Sequence, residues 1–371
     1  MDFMSLLKLM KERRASDLFI SAGFPPSLKI DGKLTPVSTT SLSAEQARDI
    51  ILRTMTPLQK RDFERTSESN FALSLPDAGR FRVNVFRHQT QLGMVLRRIE
   101  TEIPDLQSLG LPPTMAELAM YRQGLVLIVG ATGTGKTTTL AAMIQHRNRH
   151  SQGHIIAIED PIEFIHKPEG CIITQREIGI DTESYESALR NTLRQAPDMI
   201  VIGEIRSRET MQQAMEFAET GHLCVATLHA ANTTQAIERI LSFFPEDNRA
   251  QVLLDLSLNL RAIAAQRLVL ASDHKGRHVA VETLINTPLV ASMLRKGEIT
   301  YLREAIQKST ELGMKLMDHA LFELVCADLI SHEEALTHAD SANELRLMIK
   351  LNTPHKPAAT KFRRIALLEK R

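Results

Sequence analysis

Apolar runs of four to six residues alternate with helix-length segments through the middle of the chain. The runs are residues 125–129, 155–158, 199–202 and 223–228. A strand that is apolar at every position is typically buried on both faces, and strands separated by helices typically run parallel. The pattern therefore predicts an α/β domain over residues 114–271, built on a parallel sheet that helices cover on both sides.

The first hundred residues follow a different pattern. Apolar and polar side chains alternate over residues 81–85, which predicts a half-buried strand with one polar face. Shorter strands are predicted at residues 16–20 and 27–30, followed by the hairpin signal Asp31-Gly32. Together with two predicted helices, this indicates a small α+β domain over residues 1–100; the helices are at 44–54 and 57–64.

Three further boundaries follow from composition. Residues 101–113 hold three prolines without periodicity, which is typical of a linker. Residues 272–351 are predicted to be mainly helical, with helices at 315–328 and 332–339. Residues 352–371 carry six basic side chains against one glutamate, which predicts a disordered basic tail, either solvated or in contact with a membrane or a partner.

Length and charge narrow the class of protein. A chain of 371 residues suggests two or more domains. The formal net charge of +1 supplies no strong field for nucleic acid, so nucleic-acid binding is not predicted. The three cysteines are far apart and fit a reducing compartment. No signal peptide or transmembrane segment is predicted, because residues 252–270 are interrupted by three charges. We therefore expect a cytoplasmic protein.

A glycine-rich loop follows the first apolar run of the α/β domain and precedes a predicted helix. The order of strand, loop and helix is that of a P-loop, whose backbone N–H groups surround phosphate oxygens. We therefore predict binding of a nucleoside triphosphate, with a lysine facing the β- and γ-phosphates and a threonine as Mg²⁺ ligand. The predicted binding residues are Gly130, Ala131, Thr132, Gly133, Thr134, Gly135, Lys136, Thr137 and Thr138.

Acidic residues follow two other predicted strands. Glu159, Asp160 and Glu163 come after residues 155–158, and Glu204 comes after residues 199–202. Since the carboxyl ends of parallel strands border the ligand crevice, these acids are expected beside the phosphates. We assign Glu163 to the attacking water, and Glu204 and Asp160 to Mg²⁺ and its waters. A solvated acidic turn is the alternative for residues 159–163.

His222 and His229 flank the strand predicted at residues 223–228. At about 3.3 Å per residue the two imidazoles stand roughly 23 Å apart, so they cannot share one metal ion. Spacing alone leaves each histidine either structural or functional.

Four motifs in order resemble those of the ATPases that drive type IV pili and type II secretion. Residues 130–137, 156–166, 194–206 and 220–229 are similar to the Walker A motif, Asp box, Walker B motif and His box of that superfamily. Residues 15–23, 80–84 and 239–245 resemble the pilus retraction ATPases, the PilT/PilU family.

The resemblance implies a PAS-like N-terminal domain, a RecA-like P-loop ATPase domain with a helical C-terminal region, and a homohexameric ring whose sites form between subunits. It implies ATP and Mg²⁺ as cofactors. It also implies functional roles for His222 and His229, and for Arg82 and Arg97, which match arginines that approach the γ-phosphate across a subunit boundary.

Two departures narrow the choice within the family. The tetracysteine module of the assembly ATPases is absent, and residues 287–298 lack the Ala-Ile-Arg-Asn-Leu-Ile-Arg-Glu signature of PilT-type motors. The chain thus resembles the PilU type, which implies an accessory retraction ATPase that works with a PilT-like ATPase and a platform protein at the inner membrane. The alternatives are a stand-alone retraction motor, a RecA-like nucleic-acid motor and a scaffold without turnover.

Overall fold

The computed structural model describes residues 3–30, 32–75, 79–99 and 102–352. Its N-terminal part consists of three helices and six strands. In chain order these are α1 (Phe3–Glu12), β1 (Asp17–Ser21), β2 (Ser27–Ile30), β3 (Lys33–Pro36), α2 (Ala44–Thr54), α3 (Pro57–Thr66), β4 (Glu68–Leu75), β5 (Gly79–His88) and β6 (Gln91–Ile99).

The six strands form one antiparallel sheet in the order β3-β2-β1-β6-β5-β4. Phe81, Val83 and Val85 of β5 are fully buried, which confirms the predicted half-buried strand. Helices α2 and α3 each begin with a capping box, at Ser43 and Thr56, which satisfies the first N–H groups of each helix. The predicted α+β class of this part is confirmed; Asp31 of the hairpin signal lies outside the described residues.

The second part contains the predicted parallel sheet. Its elements are α4 (Thr114–Ala119), β7 (Gly124–Val129), α5 (Lys136–His150), β8 (Gly153–Glu159), β9 (Cys171–Glu177), α6 (Tyr185–Arg190), β10 (Met199–Ile202), α7 (Arg208–Glu219), β11 (Leu223–Leu228), α8 (Thr233–Ser242), α9 (Glu246–Asn259), β12 (Leu260–Leu270) and β13 (Arg277–Ile285). The strand order is β13-β12-β7-β11-β10-β8-β9.

The four strands predicted from apolar runs occupy the centre of this sheet as β7, β8, β10 and β11. The side chains of β7, β10 and β11 are buried at every position, as expected for a sheet with two covered faces. All strand pairs are parallel except β12 with β13, which form an antiparallel hairpin at one edge.

Five α-helices and two short 3₁₀ helices complete the described chain. The α-helices are α10 (Pro288–Lys296), α11 (Leu302–Lys308), α12 (Met317–Cys326), α13 (His332–Thr337) and α14 (Ala342–Asn352). The prediction of mainly helical structure beyond residue 272 omitted β13, whose pairing with β12 joins this region to the sheet. The predicted basic tail lies outside the described residues, apart from Asn352. Among the described helices, none is both long and apolar enough to cross a membrane.

Candidate nucleotide site

The glycine-rich loop joins the carboxyl end of β7 to the first turn of α5. Gly130 could not carry a side chain, because a Cβ there would lie 2.4 Å from Thr134 Oγ1 and 2.7 Å from the backbone oxygen of Gln266. Gly135 has a φ of 86°, a left-handed conformation that favours glycine, directly before helix α5 begins at Lys136. The loop is thereby folded tightly at the helix N-terminus, where backbone N–H groups and the helix dipole favour an anion.

Lys136 is largely buried at the base of this loop. Its Nζ donates hydrogen bonds of 2.9 Å to the backbone oxygens of Gly130 and Ala131. Burial lowers the pKa of the ammonium group, while the charge of Glu204 acts in the opposite direction. The cation is thus anchored to the loop and close to the acidic side of the site.

The acids predicted to follow the strands lie at the same edge of the sheet. Ile202 of β10 pairs with Ile158 of β8 and with Ala226 of β11, and Leu228 of β11 pairs with Val129 of β7, so these four parallel strands end within two residues of one another. The residues that follow each strand therefore meet around the P-loop.

A cavity of about 630 Å³ lies at this edge. The described residues line two larger cavities elsewhere, but only this one combines the glycine-rich loop with the acids. The predicted residues that line it are Thr132, Gly133, Gly135, Lys136, Thr137, Thr138, Asp160, Glu163, Glu204 and His229.

Glu204 is the centre of a charged cluster within the cavity. One carboxylate oxygen, Oε2, accepts a hydrogen bond of 2.6 Å from Nε of Arg206, and Nη1 of Arg206 lies 3.5 Å from Asp160. The carboxylate of Glu204 raises the pKa of the Arg206 guanidinium. Arg206 was not among the predicted site residues, although it follows Glu204 by only two positions.

The other carboxylate oxygen of Glu204 faces His229. The distance from Nε2 of His229 to Oε1 of Glu204 is 2.6 Å. Oε1 is buried and receives no aligned hydrogen bond from the described residues. Oε1 can therefore accept a hydrogen bond from a metal-bound water in the cavity.

Glu159 is the most deeply buried acid of the site. Burial raises its pKa to about 7, opposed by a hydrogen bond of 2.9 Å from Gln175, and the nearby charges of Glu163 and Glu177 raise it further. Glu163 lines the cavity and is only partly buried. The two carboxyls thus lie in different environments, which leaves Glu163 as the more accessible base.

The structure does not bring His222 to this cavity. His222 precedes β11, and because β7, β8, β10 and β11 run parallel, a residue before one of these strands lies at the opposite edge of the sheet from a residue after it. There its Nδ1 lies 3.2 Å from Thr220 Oγ1, and it lines a separate cavity with Arg122 and Arg261. The predicted catalytic role of His222 therefore has no support from the geometry of a single chain.

Arginines of the N-terminal sheet approach the cavity from the same chain. Nε of Arg97 donates a hydrogen bond of 2.9 Å to the buried Asp17, which raises the pKa of Arg97; the charge of Glu163 contributes in the same direction. Arg98, which was not predicted, lines the cavity itself. Arg82 lies next to Arg97 across the β5–β6 pair, and its charge acts on Glu177. The resemblance implied contact across a subunit boundary, whereas this arrangement lies within one chain.

The residues present fit Mg²⁺ as the partner of a bound nucleotide. Among the described residues no group of three His, Cys, Asp or Glu side chains could hold a metal ion. Mg²⁺ usually keeps several waters and binds through one or two carboxylates plus substrate phosphates, so a complete protein cage is not required. Thr137, Asp160 and Glu204 line the cavity and carry oxygen atoms of the kind that Mg²⁺ binds.

Comparison with known proteins decides the family. The sequence profile described as "Type II/IV secretion system protein" matches residues 3–319. The chain belongs to this family. It is 58% identical over 353 residues to the type IV pilus ATPase PilU of Pseudomonas aeruginosa, covering 95% of this chain and 92% of PilU. It is 38% identical over 335 residues to the retraction ATPase PilT of the same organism, covering 90% and 97% of the two chains.

A solved structure of the pilus retraction motor PilT with bound ADP shares the fold, with a TM-score of 0.88 at 35% identity over 94% of this chain and 99% of that one. The predicted combination of an N-terminal sheet domain with a parallel-sheet ATPase domain is thereby confirmed. The resemblance inferred from the sequence is also confirmed: the chain is a secretion ATPase of the PilT/PilU type.

Proposed function

We propose that this chain hydrolyses ATP with Mg²⁺ and assists the retraction of a type IV pilus, as an accessory to a PilT-like ATPase. The proposal rests on one cavity, which is lined by the P-loop lysine Lys136, by the cluster of Glu204, His229 and Arg206, and by Glu163. The identity of 58% to PilU supports the accessory role. So does helix α10, whose sequence lacks the signature expected of PilT-type motors at residues 287–298.

The reaction follows from the positions of the side chains. Lys136 and the loop N–H groups hold the β- and γ-phosphates, and Glu163 accepts a proton from the water that attacks the γ-phosphorus. The new P–O bond forms as the bond to the β,γ-bridging oxygen breaks, which leaves ADP and inorganic phosphate. Arg98 and Arg97 stabilise negative charge on the transferring group.

Mg²⁺, when bound, would neutralise charge on the phosphates. Thr137, Glu204 and Asp160 are the residues that would hold it and its waters. Arg206 and His229 fix the orientation of the Glu204 carboxylate, in the way that outer partners orient metal ligands.

The assembly and location complete the proposal. The chain works as a homohexameric ring that converts the ATP cycle into rotation of its domains. The ring acts in the cytoplasm against a platform protein of the inner membrane, together with the PilT-like ATPase. Neither nucleic acid nor a transmembrane segment takes part.

The enzymatic part is tested by Mg²⁺-dependent phosphate release from purified protein whose mass is measured by light scattering. Lys136→Ala removes the charge at the phosphates and should abolish release without unfolding the protein. Lys308→Ala, an exposed lysine on α11, is the matched control and should keep full activity. Normal turnover by Lys136→Ala would refute the site. Strong stimulation of the wild type by DNA would favour a nucleic-acid motor instead.

The accessory part is tested in cells. We expect no pilus retraction when this protein is the only retraction ATPase present, and full retraction when a PilT-like ATPase is restored. Retraction at the normal rate without any second ATPase would overturn the accessory role and establish a stand-alone motor.

A further inference from the structure

Gln266 of β12 is a buried polar residue beside the P-loop, and no motif of the site includes it. Its side chain is only 2% exposed. We propose that Gln266 is a positioning residue that holds the peptide between Thr134 and Gly135 so that the Gly135 N–H faces the phosphates. The proposal rests on the nucleotide-binding function proposed above for the same cavity.

The topology of the sheet places Gln266 next to the loop. Strand β12 runs parallel to β7, and Ala265 pairs with Val129, the last residue of β7. The next residue after each member of this pair is Gln266 on one side and Gly130, the first residue of the loop, on the other, so Gln266 lies beside Gly130. The close approach of the Gln266 backbone oxygen to Gly130 shows how little space separates them.

The side chain of Gln266 reaches across to the far end of the loop. Its Nε2 donates a hydrogen bond of 2.6 Å to the backbone oxygen of Thr134. A peptide bond is planar and trans, so its C=O and N–H point in opposite directions. When Gln266 holds the Thr134 oxygen toward β12, the following N–H, that of Gly135, points away from β12. Gly133, Gly135 and Lys136 of this loop line the cavity.

The hydrogen bond has a chemical consequence for an anionic ligand. Loop N–H groups cradle the phosphates of a P-loop ligand, and a carbonyl oxygen turned into the cradle would repel them. Gly135 has no side chain to resist such a rotation. An amide donor at position 266 therefore selects the peptide orientation that binds phosphate.

Contacts on the opposite face of β12 restrain the strand, and thereby the position of Gln266. Successive side chains of a strand point to opposite faces. Arg267 accordingly faces away from the loop, where Nη2 donates a hydrogen bond of 3.2 Å to the backbone oxygen of Ala231 and forms an ion pair with Asp340. These contacts tie β12 to the residues after β11 and to the C-terminal helices.

The test compares two substitutions with a matched control. Gln266→Met keeps the volume but removes the donor, and Gln266→Glu keeps the shape but places a carboxylate against the Thr134 oxygen. The control is Gln145→Met on α5: Gln145 is also buried and donates a hydrogen bond of 2.7 Å, but to Glu169. The measurements are the thermal midpoint and the dissociation constants for ADP and AMP.

We expect Gln266→Met to weaken ADP binding about tenfold or more. Without the amide donor the Gly135 N–H no longer faces the ligand, so its hydrogen bond to the charged phosphate is lost. AMP, which lacks the β-phosphate, should be affected by less than about threefold. Gln266→Glu should weaken ADP binding at least as much. Gln145→Met should leave the dissociation constants for ADP and AMP unchanged. In steady-state assays the ATP KM of both Gln266 variants should rise.

Several results would overturn the proposal. Wild-type ADP affinity in either folded Gln266 variant would do so, and so would an equal loss for ADP and AMP, because that indicates a general disturbance. If Gln266→Met does not fold, Gln266→Glu alone decides the matter by the same criteria. Failure of the proposed nucleotide-binding function is a separate result: the wild type itself would then bind no ADP.

Discussion

His229 Nε2 lies 2.6 Å from Oε1 of Glu204, although the two residues follow different strands. Glu204 follows β10 and His229 follows β11, and the parallel pairing of these strands places both at the P-loop edge of the sheet. With Arg206 on the opposite carboxylate oxygen, the orientation of Glu204 is determined from two sides.

The first prediction is that His229→Ala lowers kcat about ten- to hundredfold while the KM for ATP changes little, because the carboxylate loses one of its two orienting partners. Steady-state phosphate release measures both constants. His150→Ala, an exposed histidine at the end of α5, should behave as the wild type. Unchanged kcat in His229→Ala would show that the contact with Glu204 does not contribute to turnover.

The second prediction separates the two acids. Glu163→Gln should bind MgATP normally but lose kcat by about a hundredfold or more, because a base for the attacking water acts mainly in the transition state. Glu204→Gln should instead weaken the Mg²⁺ dependence of nucleotide binding, because one carboxylate oxygen becomes an amide NH₂ group, which cannot bind a cation. Calorimetry with and without Mg²⁺, beside turnover assays, distinguishes the variants. The reverse pattern would exchange the two roles.

The third prediction concerns the arginines. Since Arg98 lines the cavity of its own chain, mixed rings of Arg98→Ala and Lys136→Ala subunits should show no recovery of activity beyond that of each variant alone. No chain in such rings holds both an intact lysine and an intact arginine. Mixed rings of Arg97→Ala and Lys136→Ala subunits test the neighbouring arginine in the same way. Partial recovery in rings that are demonstrably mixed would establish a site completed by the adjacent subunit, as the family resemblance implied.

Within the larger sheet, the sequence predicted the four central strands, which have runs of apolar residues, and missed β9, β12 and β13. Residues 252–270 appear as one apolar region, but the structure divides them between α9 and β12, since a short apolar run fits a buried helix as well as a strand. Strand β9 lies at the sheet edge and is mostly only partly buried, so its polar residues gave no periodic signal.

In the site, too, sequence reasoning found some residues and missed others. Lys136 and Glu204 belong to local motifs whose chemistry is readable from spacing. Gln266 has no such signal, because its role depends on β12 lying beside β7, which local sequence does not specify. The role of His222 came only from the family resemblance, and it stays a prediction, since the structure describes a single chain.

The last prediction concerns stability in acid. His166 is buried, and its Nδ1 has no hydrogen-bond partner among the described residues. Burial lowers its pKa from 6.5 to about 4. The unfolded chain therefore binds a proton at this residue below about pH 6.5, while the folded chain does not until about pH 4. Folding stability is complete above pH 6.5 and falls between these values, by about 3 kcal/mol at the lower end.

Glu159 acts in the opposite direction over part of this range, because an acid with a raised pKa makes the folded state more stable as the pH falls. The effect of His166 is therefore measured by comparing how much unfolding free energy the wild type and His166→Phe each lose on acidification. In His166→Phe an apolar ring replaces the titrating group. Urea unfolding at pH 7 and pH 4.5 should show a smaller loss of unfolding free energy in the variant, by about 2 kcal/mol. His150→Gln should lose as much as the wild type. Equal losses in the wild type and His166→Phe would show that His166 is protonated in the folded state, and hence that its imidazole reaches water.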